Sequence, residues 1–198
     1  MKESAKPESP ISSVTQSKRY FKQLRRQCIS RLADLQVNDG DRSVLALKNR
    51  LSDLRGRPIH LVPMAIPQHS LNGMWVATQL ADFVIYAACA TRAHQEHIIA
   101  HELGHIMCDH QSVSDMDDSI LGQLFPDISP VIVRRVLQRN KYSHRNEQEA
   151  EMIASIYCAG IDRRNEVPLS LCPDDEVIAR LRMAVSAEYR PDRAQIGL

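Results

Sequence analysis

The chain has 198 residues, 43% of them hydrophobic and 25% charged; this fits one globular domain, or one with a short appendage, and excludes a wholly disordered chain, a collagen-like repeat and a membrane bundle. No apolar run reaches the roughly 18–20 residues that span a bilayer, and aromatics at 5% leave a mostly aliphatic core. The formal charge of +1 hides an asymmetry: residues 1–31 carry eight Lys or Arg against Glu3 and Glu8, a local +6 that leaves about −5 on the rest.

Residues 1–17 are rich in Ser, Pro, Lys and Glu and lack hydrophobic periodicity, which predicts a disordered tail. Over 20–35, Phe21, Leu24, Cys28, Ile29, Leu32 and Leu35 recur at helical spacing. Asn38-Asp39-Gly40-Asp41 breaks that pattern. A second helix follows to about Leu54, with Val44, Leu45, Leu47, Leu51 and Leu54 on its buried side, Gly56 as its cap and Pro58 blocking continuation. The period then shortens. Ile59-His60-Leu61-Val62 reads as a strand closed by Pro63, and residues 67–70 as loop. Asn72-Gly73 is a hairpin signal before a strand over 74–78, and 82–88 is a further strand. A small antiparallel sheet is expected over about 57–89. Thr91 caps a helix over about 93–109, and Ser129 one to about 140. Further helices are expected over about 144–159, ended by Gly160, and over 174–189, ended by Pro191. Helices, then sheet, then helices is an α+β order, not alternating βαβ.

The five cysteines, Cys28, Cys89, Cys108, Cys158 and Cys172, are widely spaced and form no CxxC pair. The first ten residues are polar, so no secretory signal is expected; reduced thiols in a cytoplasmic protein are the simplest reading. The basic N-terminal segment reads as a solvated helix face with a loose tail, in preference to a surface for nucleic acid or an acidic partner.

The segment that carries chemistry is His101-Glu102-Leu103-Gly104-His105, an H-E-x-x-H motif in a helical context. Residues four apart on a helix differ by about 400°, so His101 and His105 share a face, one turn apart. Two imidazoles so placed can bind one Zn²⁺, and Glu102 is the carboxylate that can take a proton from water activated by the ion. Ile98, Ile99, Leu103, Ile106 and Met107 make the helix a buried one, which argues against a pair of surface histidines.

Zinc needs a third protein ligand. His97 and Asp109 extend the same row, but about 18 Å of helix separates them, too far for one ion. The metzincin pattern of a glycine and then a third histidine is absent, because Cys108 and Gln111 hold those positions. His110 points about 140° away from His105, as a helix-end or loop residue would. Cys108 lies within a turn of His105, but core packing is its favoured role. The best distant candidate is Glu147-Gln148-Glu149-Ala150-Glu151, on a helix whose Ala150, Ile153, Ala154 and Tyr157 pack inward. Gluzincins take a Glu ligand from such a helix, with a polar residue one turn on that holds a ligating histidine. Glu147 is accordingly assigned to zinc and Glu151 to the hydrogen bond that orients a histidine. Glu149, about 200° round from Glu147, is expected to face solvent.

Over about residues 40–160 the chain resembles the ImmA/IrrE family of metallopeptidases. The resemblance rests on the HELGH segment, the trailing His110, and Glu147-Gln148-Glu149-Ala150-Glu151-Met152-Ile153-Ala154. The last stretch is similar to the family's E-x-E-A-N-x-F-A helix, with Glu151 in place of Asn and Ile153 in place of Phe. Gly56-Arg57-Pro58-Ile59 turning into a strand is similar too. The family's Leu-Leu-Met-Pro-like continuation is Ser155-Ile156-Tyr157-Cys158 here. The resemblance implies a zincin-like domain over 18–198 and a cytoplasmic zinc endopeptidase paired with a regulatory partner. In several members the substrate is a helix-turn-helix repressor, and some relatives act in toxin–antitoxin pairs.

The expected reaction is peptide hydrolysis, with Glu102 as general base and then acid. Tyr142, His144 and His110 are candidates for stabilising the oxyanion. The strand over 82–88 is placed to pair with an extended substrate. Two rivals stand beside this reading. One is a regulatory protein that keeps the zincin fold and binds without cutting, in which Glu102 would have no role. The other is a DNA-contacting regulator using residues 18–31; no zinc-finger spacing or convincing helix-turn-helix supports direct nucleic-acid binding, and no membrane association is expected.

Overall fold

The computed structural model describes residues 10–37, 42–65, 73–110, 143–161, 169 and 174–188, with backbone alone for 10–15. Residues 1–9, the expected loop at 67–70, the expected helix over 129–140, Tyr142 and Cys172 lie outside these. Among the described residues are five helices and three strands: α1 (Pro10–Asp34), α2 (Val44–Arg55), β1 (Ile59–Met64), β2 (Gly73–Ala77), β3 (Asp82–Ala87), α3 (Arg92–Met107), α4 (His144–Cys158) and α5 (Asp175–Glu188). The architecture is α+β. None of these helices is long and apolar enough to cross a membrane.

Helix α1 starts at Pro10, ahead of the expected residue 20, so 10–17 are helical where a tail was expected. Proline suits a first helical turn, where no N–H is required, and no Gly or Pro follows before Gly40 to stop the helix. Leu24 and Cys28 turn inward against Ile153 of α4, with Tyr20 and Ile156 at the margin. Helix α2 ends as expected, with Gly56 closing it at φ 62°, and it begins at Ser43, whose hydroxyl accepts from the Ala46 N–H at 3.1 Å.

The sheet is mixed, not antiparallel as the sequence suggested. Its order is β1-β3-β2, with β1 parallel and β2 antiparallel to β3. Every residue of β3 is buried, so this strand needs a neighbour on each side and a layer on each face. The chain therefore runs from β1 to the outer strand β2 and turns back between them. Pro63 does not close β1 but sits inside it, opposite Tyr86. An edge strand tolerates a residue with no N–H to donate. The central place of β3 also removes it as a substrate-pairing edge, since both its sides are taken.

One buried carboxylate ties these elements together. Asp82, at the start of β3, is fully buried. Its Oδ1 accepts from the Trp75 indole at 3.0 Å, and its Oδ2 lies 3.2 Å from Arg57 Nε and 3.5 Å from Arg55 Nε. Those two contacts are close ion pairs without hydrogen-bond alignment. Arg57 also donates to the Thr78 and Ala81 carbonyls that close the β2–β3 turn, and Arg55 reaches the Ile106 carbonyl at the end of α3. Removing one member of such a cluster leaves the others desolvated and unpaired. Asp82→Ala should therefore cost about 3 kcal/mol of stability, read as a lowered urea midpoint, with Asp82→Asn milder because the amide oxygen still accepts from Trp75.

Candidate metal centre

Helix α3 is the hub of the molecule. Ten of its 16 residues are buried, because it lies between β2 and β3 on one side and α4 on another, and also touches α2. Helix α4 begins at Ser143, whose hydroxyl accepts from the Asn146 N–H at 3.2 Å. It turns Ala150, Ile153, Ala154 and Tyr157 inward, and the Tyr157 hydroxyl donates to the Ser43 carbonyl at 2.8 Å. The two helices meet at Gly104, where an added Cβ would stand 3.2 Å from the Ala150 Cα and 3.3 Å from its carbonyl oxygen. A bare backbone at 104 thus sets how near α4 comes.

That approach brings His101, His105 and Glu147 together. The Nε2 atoms of His101 and His105 are 3.0 Å apart; Glu147 Oε2 is 3.4 Å from His101 Nε2, and its Oε1 is 3.5 Å from His105 Nε2. Tetrahedral ligands with bonds of about 2.0–2.1 Å are about 3.3 Å apart. Two imidazole nitrogens and one carboxylate with these edges fit a divalent metal ion. Glu151, one turn on, lies 3.4 Å from His101 Nδ1 and also meets His97 Nε2 at 3.1 Å. It thus contacts the ring edge of His101 that faces away from the cluster. His97 itself is no member of that group.

The electrostatics separate the two histidines. Burial pushes His105 down to about 2, helped by the charges of His101 and His110, so its ring is neutral. Burial also pulls His101 down, but the hydrogen bond to Glu147 and the charges of Glu102, Glu147 and Glu151 outweigh it and hold the pKa above the usual value. Glu102 is raised to about 7 by burial, despite a backbone hydrogen bond from Trp75. Its Oε2 is buried without a hydrogen-bond partner. Glu102 and His101 line a cleft of about 350 Å³ together with Gly73, Ile98, His97 and Glu151. A Cβ at Gly73 would stand 2.2 Å from the Ile98 side chain and 3.3 Å from Glu102 Oε1, so the first residue of β2 must be bare for the strand to pass.

Behind His105 lies a second group that the sequence reading missed. Cys108, His110 and Glu149 bring their ligand atoms within 4.8 Å of one another. Glu149 is not solvent-facing: it meets His110 Nε2 at 3.4 Å and Arg31 Nε at 3.4 Å. The face of α4 opposite Glu147 is covered by α1, where Cys28 also approaches the Glu149 carbonyl. Asp109 takes the left-handed conformation, φ 51°, and turns the chain so that His110 is buried against His105. Of the oxyanion candidates, His110 thus sits on the far side of the His105 ring from Nε2, and His144 meets the side chain of Gln148, one turn on in its own helix. Among the described residues Cys28, Cys89, Cys108 and Cys158 form no disulfide.

The chain matches no protein-family model, no curated protein and no solved structure.

Two outcomes follow from this geometry. In metal-free protein, folded Glu102 keeps its proton up to about pH 7, against 4.5 when unfolded. The folded state binds the extra proton between those values, so this group's contribution to stability falls as pH rises from 4.5 to 7 and stays low above. Glu102→Gln should then be more stable than the parent at pH 8, by up to about 3 kcal/mol, with the gap closing by pH 4 in urea titrations. His105 acts the other way: its contribution is lost as pH falls below 6.5. Separately, Gly104→Ala gains about 1 kcal/mol of helix propensity but forces α4 outward, and Gly104→Val more so. Both should weaken metal binding in a chelator competition, valine the more.

Proposed function

We propose that the chain is a zinc-dependent metallo-endopeptidase on a zincin-like scaffold, cutting a peptide bond in a regulatory partner protein. One observation carries this reading. Glu102, with its pKa near 7 and an unpartnered Oε2, lies in a cleft beside a three-donor cluster of His101, His105 and Glu147. A Zn²⁺ held by His101, His105 and Glu147 would supply a Lewis acid that polarises a carbonyl and lowers the pKa of water to near 7. Glu102 would accept a proton on Oε2 from the attacking water and deliver it to the leaving amine. Glu151 holds the His101 ring in place through Nδ1.

The substrate chain has a natural rail. Among the described residues β2 pairs with β3 alone, and its first residue, Gly73, adjoins Glu102. An extended peptide added along that edge runs past the cleft. The resemblance to ImmA/IrrE peptidases adds the partner class, a helix-turn-helix repressor or a toxin–antitoxin partner. A non-cleaving binding protein is the competing reading, and it leaves the desolvation of Glu102 without a purpose.

The deciding experiment loads the protein with zinc and reads cleavage of a proteome-derived peptide library by mass spectrometry. The parent should bind one zinc per chain and cut. Glu102→Gln should keep the zinc and lose at least a hundredfold in rate, while His101→Ala and Glu147→Ala should lose the metal. Normal cutting by Glu102→Gln would sink the mechanism; zinc without cleavage in the parent would favour the binding reading.

A further inference from the structure

We infer that His110, Glu149 and Arg31 form a positioning relay that fixes the proton of His105 on Nδ1 and so ties helix α1 to the metal centre. The inference rests on the metal-site reading above and extends it to residues outside the donor set.

The proton positions on His105 and His110 are coupled. His105 turns Nε2 toward His101 and Glu147, and its Nδ1 lies 3.0 Å from His110 Nδ1. Of two ring nitrogens facing each other at that distance, one must donate and the other accept. A neutral His105 that gives its Nε2 lone pair to a metal carries its proton on Nδ1. His110 then accepts at Nδ1, which places its own proton on Nε2. That nitrogen is 3.4 Å from Glu149 Oε2, an acceptor, and Glu149 Oε1 is 3.4 Å from Arg31 Nε. The first two links each have one donor and one acceptor and run outward from His105, and the Arg31 guanidinium meets the Glu149 carboxylate from the other side as a cation. His105 is fully buried and His110 nearly so, which shields the first link from water. Asp109, at φ 51°, makes the turn that sets His110 there, and the His110 N–H caps the His105 carbonyl at 3.0 Å.

The same coupling decides the fate of the Cys108–His110–Glu149 group. A second metal ion there would need the His110 Nε2 lone pair, which moves the His110 proton to Nδ1, against the proton on His105 Nδ1. With both rings neutral, the two ions exclude each other. While the first site is filled, His110 and Glu149 are positioning residues and not ligands.

The test uses the full chain and zinc itself. Long-range ¹H–¹⁵N correlation of the histidine rings in zinc-loaded protein should place the His105 proton on Nδ1 and the His110 proton on Nε2; this needs no variant. In competition with a chromophoric chelator, His110→Ala should bind zinc about 10–100-fold more weakly. His110→Asn, whose side-chain carbonyl can accept where Nδ1 did, should recover part of that loss, which a merely structural role would not produce. Glu149→Gln should lose less, since its amide oxygen still accepts. Unchanged affinity in His110→Ala, a His110 proton on Nδ1, or two zinc ions per chain would overturn the relay while leaving the His101–His105–Glu147 centre intact. A parent that binds no zinc would overturn both.

Discussion

The contact between Gly104 and Ala150 is the constraint on which the site depends. Histidine and glutamate side chains reach only a few ångströms, so ligands from two helices can share an ion only if the helices nearly touch. Gly104 sits between His101 and His105 in sequence, and Ala150 follows Glu147 by three residues. The closest backbone approach and the donor cluster therefore coincide. A glycine in mid-helix costs about 1 kcal/mol relative to alanine. Here the cost is offset by the packing of Ala150 and Ile153 against the bare turn.

Around that contact the fold carries an unusual load of buried polar groups. Gln95, Glu96, Glu102 and His105 all lie on the buried part of α3, and Asp82 is buried at the start of β3. Most have partners: Glu96 pairs with Arg92 at 2.8 Å, and the Gln95 amide donates to the Ala88 carbonyl. Glu102 Oε2 stands out beside them because it has none. Arg55 links the two systems, since it meets Asp82 under the sheet and the Ile106 carbonyl and Asp109 at the end of α3. The helix that bears the histidines is thus anchored at its C-terminal end to the same cluster that locks the β2–β3 turn.

Much of this was legible in the sequence, for definite reasons. The C-terminal end of α2 was marked by Gly56 and Pro58, and α3 and α4 by apolar residues at helical spacing, although Thr91 makes no side-chain cap bond at the start of α3. Spacing alone put His101 and His105 on one face. The sheet order was not legible, because β-strand patterns carry no partner information; only the burial of all six residues of β3 reveals it as central. Helix α1 began early because a polar sequence without Gly or Pro extends a helix whose later turns are held by packing. The misplacement of Glu149 has a related cause. Its angle from Glu147 was read correctly as about 200°, but the far side of α4 faces α1 and not water. Single-helix geometry gives direction, and only tertiary packing gives what lies there.

The long stretch of chain between His105 and Glu147 has a kinetic meaning. Neither helix alone holds a three-donor set, so the centre cannot exist until α4 has docked on α3. That pairing is distant in sequence and carries a loop-closure cost that must be met before its contacts repay it. An ion could be held by all three donors only after that docking. If the docking follows the rate-limiting step of folding, an ion held there would slow unfolding more than it would speed folding.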